Sequence, residues 1–141
     1  MKSFRIFVLV IPVLALLLIF AYWSDSAVAA DSADKWVSPA ASAAKKNPIA
    51  STQVSIGAGQ KIYSKTCAMC HGKTGDADGP AVIELNIHPA KLSDPKLATE
   101  SDGALFWKVT TGKKPMPAYG KRLSETDRWN LVNYMRTLSK R

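Results

Sequence analysis

Thiols and imidazoles are scarce in this chain: its 141 residues include two cysteines and two histidines. Both cysteines and one histidine, Cys67, Cys70 and His71, fall within the single stretch "TCAMCHGKTGDADGP". This scarcity removes several chemistries. A structural zinc centre needs four ligands, and the full supply would be Cys67, Cys70, His71 and His88. No second C-x-x-C is present, and neighbours such as Cys70 and His71 rarely converge on one metal. A thioredoxin-like dithiol opens a helix in a strand-and-helix fold, and no segment here alternates polar and apolar residues as such strands do. A disulfide between Cys67 and Cys70 would close so short a loop that it would stabilise little. There is no internal repeat.

Charge is missing from Ile6 to Trp23, "IFVLVIPVLALLLIFAYW", which Lys2 and Arg5 precede. As a helix this run reaches about 27 Å, close to a bilayer's hydrocarbon thickness of roughly 30 Å. Residues 1–23 therefore read as a signal peptide or a transmembrane anchor. Length favours the anchor, whereas small residues at Ala27 and Ala29, or Val28 and Ala30, suit signal peptidase. Either way the basic flank stays in the cytoplasm and the chain beyond Trp23 is exported. Residues 24–55, rich in Ala, Ser, Pro, Lys and Asp, read as a flexible linker with a reach of about 30 Å. Trp36 and Asn47 to Ile49 are its candidate docking points. Residues 56–141 form the domain, short enough that a bound prosthetic group would help to stabilise it.

Within that domain the periodicity predicts helices and no strand, hence an all-α class. "SIGAGQKIYSKTC" places Ile56, Gly59, Ile62 and Tyr63 along one side of a helix, with Gly59 serving close packing. Residues 74–102 are mostly loop, with one short helix near Ala81 to Leu85. A further helix is capped at Ser101 or Asp102, buries Leu105, Phe106 and Val109, and stops at Gly112. Pro115 and Pro117 then keep Met116 out of regular helix. The last helix has Ser124 as its cap, acids in its first turn and bases at its end. Its apolar stripe is Leu131, Val132, Met135 and Leu138.

What the chain does contain is C-x-x-C-H, the attachment sequence of c-type haem. Two thiols one helical turn apart can add to the two vinyl groups of one haem edge, and His71 is then presented to the iron. Export supports this reading, because c-type haem is attached on the far side of the membrane. For the iron's other axial position the candidates are Met69, His88, Met116 and Met135. Met69 lies inside the attachment loop, Met135 in a core stripe and His88 in a polar loop. Met116, in its proline-stiffened segment, is the best fit, and a His/Met pair leaves no open position for catalysis or gas binding.

In these motifs the domain resembles a class I cytochrome c of the small bacterial monohaem type. Gly59 and Tyr63 match that family's first helix, Leu131 and Tyr134 the last helix that crosses it, and "MPAY" at Met116 to Tyr119 its sixth-ligand loop. The resemblance implies a compact fold of about four helices around one covalent haem c. It also implies that the Pro80 carbonyl orients His71, fixing its tautomer. His88 and Lys91 depart from the family's usual proline-rich loop. Function is then expected to be electron transfer on the periplasmic side of the bacterial inner membrane, either as a free or tethered carrier or as a haem subunit docked in a membrane dehydrogenase or respiratory complex. The formal charge is +8, and Lys108, Lys113, Lys114, Lys121 and Arg122 surround the Met116 segment. Such a field suits redox protein partners with an acidic docking surface. The membrane is a further partner if the N-terminal segment is uncleaved, and nucleic acid is not expected.

Overall fold

The computed structural model describes residues 36–139. The apolar run at 6–23, its cleavage or retention, and the first part of the expected linker lie outside the described residues. Among the described residues there are helices and no strand: α1 Ala40–Ala43, α2 Gln53–Thr66, α3 Ala68–His71, α4 Ala81–Glu84, a 3-10 turn at Pro95–Thr99, α5 Asp102–Thr111 and α6 Glu125–Leu138. The all-α expectation holds. The three longer helices start where a hydroxyl satisfies a free amide: Thr52 accepts from Ser55, Ser101 from Ala104, and Ser124 from Asp127. Gly112 ends α5 with φ 61°, a conformation that favours glycine.

The core is the crossing of α2 and α6. At Gly59 an added Cβ would stand 2.1 Å from the Asn130 carbonyl oxygen, so only glycine allows the two backbones to approach this closely. One turn further on, the Tyr63 and Tyr134 rings meet at 5.1 Å between centroids, tilted by 55°. Leu131, Val132 and Leu138 are fully buried beside them. From α5, Phe106 stacks on Trp129 at 3.9 Å, and the Arg128 guanidinium lies over the Phe106 ring.

One boundary differs from the expectation. Residues 24–55 read as a flexible linker, yet the compact unit begins at Val37. The physical reason is largely polar, with Ile49 packed against the core beside the hydrogen bonds. Asn133, buried in α6, accepts from the Asn47 side-chain amide at 2.9 Å and donates to the Ile49 carbonyl at 3.2 Å and to Ser55 Oγ at 2.7 Å. Ser55 Oγ in turn donates to Asn130 Oδ1 at 2.8 Å. Farther along, Ser101 Oγ donates to the Ala43 carbonyl at 2.7 Å, and Gly103 makes room for the backbone at Ser42 and Lys45. Residues 37–52 are thus a strap hydrogen-bonded to α5 and α6. Asn47 docks as its sequence position suggested, but so do the residues around it.

Candidate functional site

The cysteines sit where α2 breaks into α3. Cys67 has φ −115° and ψ −34°, its amide still donates to the Tyr63 carbonyl at 2.9 Å, and its carbonyl accepts from His71 at 2.9 Å. One tight turn therefore carries Cys67, Cys70 and His71. Both thiols are unlinked and half-buried. Burial pushes the Cys67 thiol up, opposed by the hydroxyl of Thr66 at 3.3 Å, so it rests as a neutral thiol.

Residues 72–79 fold back under this turn. Gly72 takes φ 78°, and its carbonyl accepts from the buried Tyr63 hydroxyl at 2.7 Å. Ala77 donates to the His71 carbonyl at 2.9 Å. At Gly79 a Cβ would lie 2.3 Å from the Met69 carbonyl oxygen, so the returning segment lies against α3 itself.

His71 is held differently from the expectation. Its Nδ1 lies 2.9 Å from the carbonyl oxygen of Ala90, whereas the resemblance had put the Pro80 carbonyl there. Pro80 instead caps α4 as an exposed residue, and the chain must run on past α4 before a carbonyl comes round to the ring. A carbonyl can only accept, so Nδ1 carries the proton and Nε2 keeps its lone pair. Burial lowers the His71 pKa and the Ala90 bond opposes this, leaving a neutral imidazole suited to binding a metal through Nε2.

Of the other candidate ligands, Met135 is core, 6% exposed on α6. His88 and Met69 are exposed. Met116 is half-buried and packs against the core cluster to which Cys67 and Ala68 also contribute. Its loop leaves α5 at Gly112, turns with Met116 donating to the Lys113 carbonyl at 2.8 Å, and returns with Tyr119 donating to Val109 at 3.1 Å. The Tyr119 hydroxyl donates to the Thr66 carbonyl at 2.9 Å, so the loop is pinned one residue before the first thiol. Burial raises the Tyr119 pKa, with the two nearby cysteines adding to the effect. Sequence reasoning quoted Tyr119 only as part of a motif and missed Ala90, whose backbone carbonyl leaves no trace in residue type.

These residues fit a covalent haem. They offer two free thiols on one turn, an imidazole with its outer nitrogen available, and a stiff loop tied beside them; fold and site together define a c-type cytochrome domain. Residues 55–135 match the family described as cytochrome c oxidase, cbb3-type, subunit III. Cytochrome c6 from Alaria esculenta is 36% identical over 88 residues, 61% of this chain and 94% of that protein. Cytochrome c6 from Bumilleriopsis filiformis is 38% identical over 82 residues, 55% of this chain and 84% of that one. A chain of the Kuenenia stuttgartiensis reducing HAO-like protein complex superposes with a TM-score of 0.57 at 34% identity, over 64% of this chain. Our chain spans 46% of that longer one. The chain belongs to the cytochrome family matched over residues 55–135: it is a small class I monohaem c-type cytochrome, carries covalently bound haem c and serves electron transfer.

Proposed function

We propose that the protein is an exported single-haem electron carrier. Cys67 and Cys70 would hold the haem by thioether bonds, and His71 Nε2 and Met116 Sδ would ligate its iron. When bound, the haem supplies a one-electron couple between Fe(III) and Fe(II). The observation that carries the reading is the Tyr119–Thr66 hydrogen bond of 2.9 Å, which ties the methionine loop to the helix end bearing the first thiol. The Ala90 carbonyl keeps His71 in the tautomer that binds iron. Met116, a weak thioether donor, favours the ferrous state, and filling the second position shuts out small ligands.

Lys2 and Arg5 before the apolar run at 6–23 support export to the periplasmic side of a bacterial inner membrane, anchored or soluble. For partners we infer redox proteins with an acidic docking surface. Lys113, Lys114, Lys121 and Arg122 are exposed along the Met116 loop. Lys108 is not part of that field: its ammonium is bound by both carboxylate oxygens of Glu100. A second reading, a haem subunit docked in a larger redox assembly, draws on the likeness to a chain of the Kuenenia complex.

Absorption spectra of the exported protein test the ligand set. The weak band of sulfur bound to ferric iron is expected in the wild type and absent in Met116→Ala; its persistence would overturn the assignment. Carbon monoxide binding by the untreated ferrous protein would argue for an open site instead. Sedimentation of material solubilised from native membranes separates the two readings, since a stable larger complex would sink the free carrier.

A further inference from the structure

The segment that carries Met116 is closed at its base by two backbone hydrogen bonds. Tyr119 donates to the Val109 carbonyl at 3.1 Å and Gly120 to the Thr110 carbonyl at 3.0 Å. Both acceptors lie in the last turn of α5. The loop between them is narrow: a Cβ at Gly112 would stand 2.6 Å from the Ala118 amide nitrogen, and one at Gly120 would press on the Thr110 methyl at 3.1 Å. The last carbonyls of a helix have no partner within it, so such a turn frays unless something outside holds it.

That hold comes from α6. The Arg128 guanidinium donates through Nη1 to Thr110 Oγ1 and through Nε to the Ser124 carbonyl at 3.3 Å, and it lies 4.6 Å from the centre of the Phe106 ring. Thr110 Oγ1 donates its own proton to the Phe106 carbonyl at 2.7 Å, which leaves its lone pairs to Arg128. Phe106 in turn stacks on Trp129, the next residue of α6. One half-buried cation therefore joins three points: the capping residue of α6, the aromatic stack of the core, and the residue whose carbonyl closes the methionine loop. Its bonds are charge-assisted, and a planar fork serving two acceptors loses little freedom for each.

We propose that Arg128 is a positioning residue for the axial methionine: by clamping Thr110 to the start of α6 it keeps the base of the 112–120 loop shut and so holds Met116 at the iron. A thioether is a weak donor to ferric iron, so the ferric bond is the one that a loosened loop gives up first. This proposal rests on Met116 being the iron ligand.

The test uses the haem-loaded protein with Arg128→Met, Thr110→Val, Thr110→Ser and the double variant of the first two. Two quantities are read. One is amide hydrogen exchange at Tyr119 and Gly120, set against that at Leu131 and Val132. The other is the temperature at which the ferric sulfur-to-iron band disappears, set against that of global unfolding. Arg128→Met and Thr110→Val should each quicken exchange at Tyr119 and Gly120 by roughly tenfold beyond any change in the core, and the band should vanish well before the protein unfolds. Thr110→Ser, which keeps the hydroxyl, should stay close to the wild type in both. Because the two side chains act through one bond, the double variant should quicken exchange no further than either single one. Effects that multiply would mean separate roles and overturn the clamp, as would exchange that quickens equally in loop and core. Quickened loop exchange with the band lost at the wild-type temperature would overturn the link from the clamp to the iron. Failure of the ligand assignment looks different: the wild type itself shows no such band, which sinks the link to the iron at its root, while the exchange pattern alone still supports or overturns the clamp.

Discussion

At Gly59 the space left for a side chain ends at the backbone of Asn130, so the smallest substitution is already too large. Gly59→Ala should destabilise the protein by about 1–3 kcal/mol, measured as a lower denaturation midpoint with an unchanged slope. Tyr119 offers the complementary case, where one atom is removed. Tyr119→Phe keeps the ring in the core and deletes the bond to Thr66. The expected loss is about 1 kcal/mol, with the sulfur-to-iron band disappearing at lower temperature than in the wild type. At this scale the legibility of the sequence depended on whether a role belongs to a side chain. Cys67, Cys70 and His71 declare themselves by type and spacing, and Gly59 by standing in a helix where glycine is costly. Ala90 meets His71 through its main chain, which every residue has, so residue type could not point to that contact.

Among the elements, the limits of α5 and the start of α6 were legible, because Ser101, Gly112 and Ser124 mark them chemically, whereas α2 starts at Gln53 behind a Thr52 cap, inside what read as linker. The strap at 37–52 was not, since it has little apolar periodicity and is fixed by amides whose partners lie 86 residues away, as for Asn47 and Asn133. Asn133→Ala leaves Asn47 and Ser55 short of buried partners and should cost about 2 kcal/mol, with faster hydrogen exchange at residues 49–52. The Asp76 clasp, in which the carboxylate accepts from Ser93 and Thr74 and pairs with Lys91, predicts a pH dependence of its own. The folded pKa of about 2 lies below the ordinary carboxylate range, so the clasp's contribution is complete above roughly pH 4 and is lost as pH falls through 2. The Asp76 carboxyl signal should titrate near 2 in the wild type and move upward in Ser93→Ala.

For the whole molecule, the +8 formal charge is less informative than its placement. If the exposed cations of the Met116 loop steer an acidic partner, Lys121→Gln and Arg122→Gln should each lower the association rate and flatten its salt dependence. Lys108→Gln should leave that salt dependence unchanged while lowering stability, because Lys108 is engaged with Glu100. The strap has a consequence in time as well as in space. A chain made from its N-terminus delivers residues 37–52 before their partners on α6, which follow as much as 86 residues later. Until then neither the strap nor the crossing at Gly59 can close, and the two thiols in the middle of the sequence travel in an open chain. The late arrival of α6 sets the interval in which the cysteines can be reached by whatever chemistry joins them to haem.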